Sequence, residues 1–205
     1  TTVAIHGFGK VAIPAANDLR AQGAKIVAVS DVSGGVYDPN GLDIEKCEKW
    51  VKENRVLKGM PGTKHITNDE LFALNVDVLI PAAIDGVITK ENAHVVKAKI
   101  IAEGANGPLT KEAIDIVTAK GAFLIPDILC NAGGVIVSYF EWVQGMQQFF
   151  WSEKDVNEKL AEVMARAFNR VADTATRYKC GMKTGALITS VERLSQAMLV
   201  RGLFP

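Results

Sequence analysis

Val3-Ala4-Ile5-His6-Gly7-Phe8-Gly9-Lys10-Val11-Ala12 runs from an apolar strand pattern, through a glycine-spaced turn, into a helix pattern. An acid, Asp31, follows Gly9 by 22 positions, at the end of a second strand-like run. In that context a G-x-G-x-x-G/A spacing becomes a dinucleotide-binding pattern rather than a chance match. The first glycine permits a tight turn, the second lets the backbone approach a pyrophosphate, and Ala12 keeps the helix close to the sheet. The pyrophosphate would rest on the free N–H groups of the helix N-terminus. Asp31 would accept hydrogen bonds from a ribose. The alternative is a sharp strand-to-helix turn that binds nothing.

Outward from this turn, short apolar runs alternate with helix patterns. The expected strands are 3–6, 25–30, 76–80, 100–103 and 122–126. Helices are expected over 11–22 (stopping at Gly23), over 42–54, and over 71–74 behind a capping box at Thr67-Asn68-Asp69-Glu70. Thr89 and Thr110 each open a further helix, the second running to Lys120. This alternation predicts an α/β, Rossmann-type doubly wound fold, a mainly parallel sheet with helices on both faces. Between Asp31 and Val76 the turn signals Gly34-Gly35, Asp38-Pro39-Asn40-Gly41 and Met60-Pro61-Gly62 read as a helix plus rim loops. After an apolar-aromatic segment, Val135–Met146, Ser152 opens a long amphipathic helix. Its stripe is Val156, Leu160, Met164, Ala167, Val171 and Ala175, and its Met and Phe residues are expected in the core. A final helix spans roughly 189–201. The whole of 1–205 is expected to form one domain, with 151–205 as a C-terminal helical extension.

Lys plus Arg and Asp plus Glu both number 23, so no basic field points to nucleic acid. No apolar run is long enough to span a membrane, and the sequence opens directly in a strand without a leader pattern. Cys47, Cys130 and Cys180 are far apart and odd in number, which suits neither a metal site nor a disulfide framework. The expectation is a reduced, cytoplasmic protein.

In a doubly wound fold, three further strand-end loops converge on the glycine turn: Ala82-Ala83-Ile84-Asp85, Glu103–Pro108 and Cys130–Gly134. Asn106 and Asn131 each offer a donor and an acceptor, which suits a carboxamide. Each also reads as an ordinary turn or cap residue. Cys130 stands beside a helix start, but no base adjoins it in sequence, and packing explains it better. His6 reads as a packed histidine. His65 and His94 receive no role.

Val3–Gly9, Ala28–Asp31 with Gly34-Gly35, and Ala102-Glu103-Gly104-Ala105-Asn106-Gly107-Pro108 together resemble the cofactor domain of glutamate dehydrogenases. So does Ile125–Trp142, whose Ser138-Tyr139-Phe140-Glu141-Trp142 continuation leucine and phenylalanine dehydrogenases do not share. The resemblance runs from about Val3 to the C-terminus. It implies oxidative deamination of L-glutamate to 2-oxoglutarate and ammonia with a nicotinamide cofactor. By the same resemblance Gly7, Phe8, Gly9, Lys10 and Val11 form the phosphate turn, and Asp31 faces the adenosine ribose. Ala82, Ala83, Asn106 and Asn131 line the path to the nicotinamide. Val135 and Ser138 match positions that touch the glutamate side chain, Ser138 through its γ-carboxylate.

Two positions depart from the family pattern. Lys10 replaces a usual asparagine, and Asp85-Gly86 replaces a bulkier or acidic pair. NAD is favoured over NADP because the Asp31 carboxylate opposes a 2′-phosphate. Members of both cofactor types carry an acid here, however, and NADP stays open. The family's catalytic lysine and aspartate belong to a substrate domain that precedes this one. The expectation is therefore that this chain has no catalytic residue of its own, binds cofactor weakly and does not turn over glutamate. The apolar positions of its last helix, deprived of the domain they pack against, would favour self-association. The alternatives are a stand-alone nucleotide-binding module and a scaffold without function.

Overall fold

A computed structural model describes residues 1–202 and divides the chain into two compact units, Thr1–Leu124 and a second beginning at Ile125. The sheet has seven strands: β1 (Thr2–His6), β2 (Lys25–Asp31), β3 (Gly34–Tyr37), β4 (Lys64–Ile66), β5 (Val78–Pro81), β6 (Ile100–Ala102) and β7 (Phe123–Ile125). Their order is β4-β3-β2-β1-β5-β6-β7. β1 pairs in parallel with β2 and β5, and β5 with β6, while β3 and β4 add an antiparallel edge.

Alternation along each strand sends side chains to two cores. Val3, Ile5, Ile26 and Val29 pack under α1 (Ala12–Ala21) and α2 (Ile44–Asn54), with Ala12, Ala16, Ile44 and Cys47. Ala4, Ala28, Leu79 and Ile101 pack against α3 (Asn68–Phe72) and α4 (Lys111–Ala119), with Leu71, Phe72, Ala113 and Val117. The β1–β2 register slips between Val3 and Ala4, so Val27 and Ala28 share one face, a bulge that adds twist. The doubly wound architecture is as the sequence predicts. So are the capping box at Thr67 and the side-chain cap by Thr110.

Three local expectations fail. Gly34-Gly35 is not a turn but the start of β3, pressed against β4. A Cβ at Gly34 would lie 2.8 Å from the His65 ring, and one at Gly35 would lie 3.0 Å from Ile66. Glycine here permits close strand approach. The helix expected after Thr89 is only a 3-10 turn, Ala93–Val95. Asn92 takes over the local backbone: its Oδ1 accepts from the Thr89 N–H at 2.7 Å and its Nδ2 donates to the Val87 carbonyl at 2.9 Å. The last helix starts earlier than expected, at Met182.

The second unit contains α5 (Asp127–Cys130), α6 (Gly133–Gln147), α7 (Glu153–Tyr178) and α8 (Met182–Arg201). The apolar-aromatic segment is thus helical. Ser152 caps α7 reciprocally with Asp155. On the α7 stripe Val171 and Ala175 are buried, whereas Met164, and Phe168 beside the stripe, are only half-buried, short of the core position expected of them. α7 and α8 cross where Gly185 meets Ala175. A Cβ at Gly185 would sit 2.9 Å from the Ala175 Cβ and 3.1 Å from its Cα. Among the described residues no helix is long and apolar enough to cross a membrane. All three cysteines are free.

Gly185→Ala is expected to overpack this crossing and lower the unfolding free energy by about 1–3 kcal/mol, measured by urea denaturation. An unchanged midpoint would show that the helices separate without cost.

Candidate functional site

β1 lies between β2 and β5, so the chain crosses over to opposite sides on leaving it. That makes the carboxyl end of β1 a topological switch point, where open α/β sheets take ligands. Gly7 occupies that point with φ +115°. A Cβ there would lie 3.0 Å from the carbonyl atoms of Ala82 and 3.1 Å from the Ala83 nitrogen. Both the conformation and the space require glycine. The Ala82 N–H donates to the His6 carbonyl at 2.7 Å, locking the two strand exits together.

Gly9 differs: a Cβ there would meet nothing within 4 Å, so its face opens to solvent. The Gly9 carbonyl accepts from the Ile13 N–H at 3.0 Å and starts α1. That helix is built unlike its neighbours. α2, α3, α4 and α7 are each capped by a side chain (Asp43, Thr67, Thr110 and Ser152) and carry an acid in the first turn. α1 has neither a side-chain cap at Val11 nor an acid, and exposed Lys10 adds a positive charge beside it. Its N-terminal dipole is left uncompensated, an electropositive end suited to an anion.

Around this turn the first unit assembles most of the expected residues. Phe8 is half-buried against the α1–α2 core. The loops after β5 and β6 run side by side. The Ala105 N–H donates to the Pro81 carbonyl at 2.9 Å, and the Gly86 N–H to the Gly107 carbonyl at 2.9 Å. A Cβ at Gly104 would lie 3.2 Å from that of Ala82. Ala82 and Ala83 thus abut Gly7, and the loop that carries exposed Asn106 is tied to theirs.

Asp31 has work that its sequence context did not reveal. Its Oδ1 accepts from the Ser33 N–H at 2.7 Å and the Ser33 hydroxyl at 2.5 Å, and its Oδ2 accepts from the Leu57 N–H at 2.6 Å. The carboxylate thus joins the end of β2, the β2–β3 turn and the segment after α2. A carboxylate accommodates about four hydrogen bonds, so one acceptor direction is left over.

In the second unit, half-buried Asn131 ends α5, its N–H donating to the Asp127 carbonyl at 3.0 Å. α6 then begins at Gly133 with no side-chain cap and no acid in its first turn. Val135 and Ser138, three residues apart, lie on one exposed face of α6.

Several groups at the strand ends escaped sequence reasoning. Glu103, read only as the start of a contact loop, is completely buried at the end of β6. A carboxylate is costly to bury, and its place after Ile100-Ile101-Ala102 was the available signal. His6 and Ser30 face each other in the β1–β2 register, and both His6 Nδ1 and Ser30 Oγ are buried without a partner among the described residues. The His6 ring packs on Phe72 with centroids 5.0 Å apart, and burial lowers its pKa below the ordinary 6.5. Burial, reinforced by Asp43, raises the Cys47 thiol to about 11, which makes it inert.

The Glutamate/Leucine/Phenylalanine/Valine dehydrogenase family model matches residues 1–202. The chain belongs to this family. It is 46% identical over 205 residues to a glutamate dehydrogenase of Thermotoga maritima, covering all of this chain and 49% of that protein. Among solved structures, the hetero-hexameric glutamate dehydrogenase of Thermus thermophilus in its Leu-bound form superimposes with a TM-score of 0.91 at 34% identity, over 100% of this chain and 48% of that one. The glutamate dehydrogenase of Peptoniphilus asaccharolyticus gives 0.84 at 31% identity, over 100% and 48%. The chain therefore spans about half the length of these relatives. The family resemblance and the doubly wound fold expected of it both hold.

Because the folded state disfavours protonation of His6, the unfolded state binds a proton more readily below pH 6.5. Stability is expected to be full above that value and to decline as pH falls from 6.5 toward the lower folded pKa. His6→Gln, neutral throughout, should flatten this decline in urea melts between about pH 7 and pH 5. Equal slopes would show that His6 is not its source.

Proposed function

We propose that this chain is the nicotinamide-dinucleotide-binding part of a glutamate dehydrogenase. The observation that carries the reading is the switch-point turn: Gly7 wedged against Ala82, open space over Gly9, and a helix start with neither cap nor acid. Those features fit a pyrophosphate. The N–H groups at the start of α1 would hold it, with Gly9 allowing close approach and Lys10 adding charge. Asp31, fixed by Ser33 and Leu57, would offer its remaining acceptor direction to the adenosine ribose. Ala82, Ala83, Asn106 and Asn131 would line the cofactor's course, and Val135 and Ser138 would contact the glutamate side chain.

A nicotinamide cofactor held there would supply the hydride acceptor for oxidation of L-glutamate at its α-carbon, the reaction that yields 2-oxoglutarate and ammonia. The chain's own residues bind and orient. The base and acid that this oxidation needs would come from the other half of the polypeptide, so the chain alone binds cofactor without turnover. NAD is the favoured form, and NADP is the alternative that Asp31 opposes. The exposed apolar positions of α8 (Leu187, Val191, Leu194, Met198 and Leu199) are those we assign to contact with that other half. Without it they would drive self-association. Three free thiols suit a reducing compartment such as the cytoplasm.

Titration with NADH and NADPH, followed by tryptophan and nicotinamide fluorescence, is expected to show saturable binding, tighter for NADH. Gly9→Ala puts a methyl group on the open face, where a Cβ meets nothing within 4 Å, so it should weaken binding at least about tenfold, roughly 1.4 kcal/mol, with an unchanged urea midpoint. Asp31→Ala is a poorer probe because it also releases Leu57. A cooperatively folded chain that binds neither nucleotide would overturn the reading.

A further inference from the structure

The seam between α7 and α8 carries two adjoining compartments, both within the second unit. One, about 330 Å³, is polar and is lined by Arg170, Arg177, Arg193, Thr174, Thr189 and Gln196, with Glu192 at its side. The other, about 430 Å³, is largely apolar; its walls include Leu129, Ala132, Ala167, Val171, Ala186 and Leu194. Arg170, Thr189 and Arg193 line both, so the two meet at a pair of guanidiniums. Each volume lies in the range of about 300–1,000 Å³ usual for small-molecule sites.

The charges are not neutralised from within. Among the described residues the guanidiniums of Arg170 and Arg193 make no ion pair or hydrogen bond. Glu192, the one acid among the residues that line the two compartments, accepts the Tyr178 hydroxyl at 2.7 Å, and Arg177 lies over the Tyr178 ring at 5.5 Å. The floor is also satisfied. Thr189 and Thr174, both buried, join hydroxyls at 3.0 Å, and Thr189 reaches the Gly185 carbonyl at 2.8 Å. Two free forks thus stand at the mouth of a greasy chamber on a closed floor.

We propose that this seam binds a small amphipathic organic anion, its carboxylate held by Arg170 and Arg193 and its short hydrocarbon tail in the chamber lined by Ala167 and Leu194. Planar guanidiniums match a carboxylate bidentately. The tail removes apolar wall from water at no cost in unpaired polar groups. A bare inorganic anion would leave the chamber unfilled, and a neutral alkyl chain would leave the forks unpaired. The site is separate from the dinucleotide turn; Leu194 at its wall belongs to the α8 face assigned above to the other half, so the proposal concerns the chain with that face uncovered.

Sodium hexanoate, titrated into the full chain and followed by saturation-transfer NMR, tests this. Saturable binding is expected, at least tenfold weaker in Arg170→Gln/Arg193→Gln and also in Ala167→Leu, which fills the chamber. Leu194 is 64% exposed, so Leu194→Asn provides a second chamber variant that leaves the core alone; it should weaken hexanoate several-fold at an unchanged urea midpoint. Neither 1-hexanol nor inorganic phosphate should displace the probe. Displacement by hexanol would mean a plain apolar groove, and displacement by phosphate a plain basic patch. Either result, or no saturable binding in the wild-type chain, overturns the proposal.

Discussion

The close approach of Gly7 to the backbone of Ala82 and Ala83 is the constraint around which the first unit is organised. Two parallel strands leave the sheet side by side and turn to opposite faces, so their exits collide unless one lacks a side chain. Glycine with positive φ resolves the collision and also aims the next residues into α1. The same geometry opens the face over Gly9 and leaves the helix start bare. A packing requirement and an anion-receptive surface thus share one six-residue turn.

The contrast among helix starts gives that surface its meaning. Four helices of this chain spend an Asp, Thr or Ser on their own first N–H groups and add an acid nearby. Capping of this kind contributes about 1 kcal/mol per helix. α1 forgoes it at the switch point, the position where a ligand can supply the missing acceptors. α6, opening at Gly133-Gly134, forgoes it as well. α8 likewise starts with neither cap nor acid, so a bare start singles out α1 only together with its place at the switch point and the open face over Gly9.

Much of this was legible in the sequence because it rests on local chemistry. Strand, turn, helix and acid occur in order from Val3 to Asp31, and the caps at Thr67, Thr110 and Ser152 act within three residues. What escaped depends on distant partners. Gly34-Gly35 reads as a turn in isolation, and only the ring of His65 on β4 shows why two glycines occupy a strand. Thr89 carries a helix-start signal that the Asn92 side chain overrides. Met182 opens α8 without a side-chain cap, so its first two turns gave no signal. At the site, the residues of the turn were readable, but the clasp from Asp31 to Leu57 was not, since 26 residues separate its ends. Burial of Glu103 and the orphaned atoms of His6 and Ser30 were likewise invisible until strands were placed in register.

The antiparallel border of the sheet has one more consequence. β4 is three residues long, and two of them, Lys64 and His65, are exposed. A short, charged edge is a poor template for a strand from another molecule. Meanwhile α8 presents Leu187, Val191, Leu194 and Met198 to solvent. At that border the chain is therefore guarded against fibrillar, strand-to-strand growth, and the apolar area of α8 lies on a helix, which offers no backbone ladder for another chain to extend.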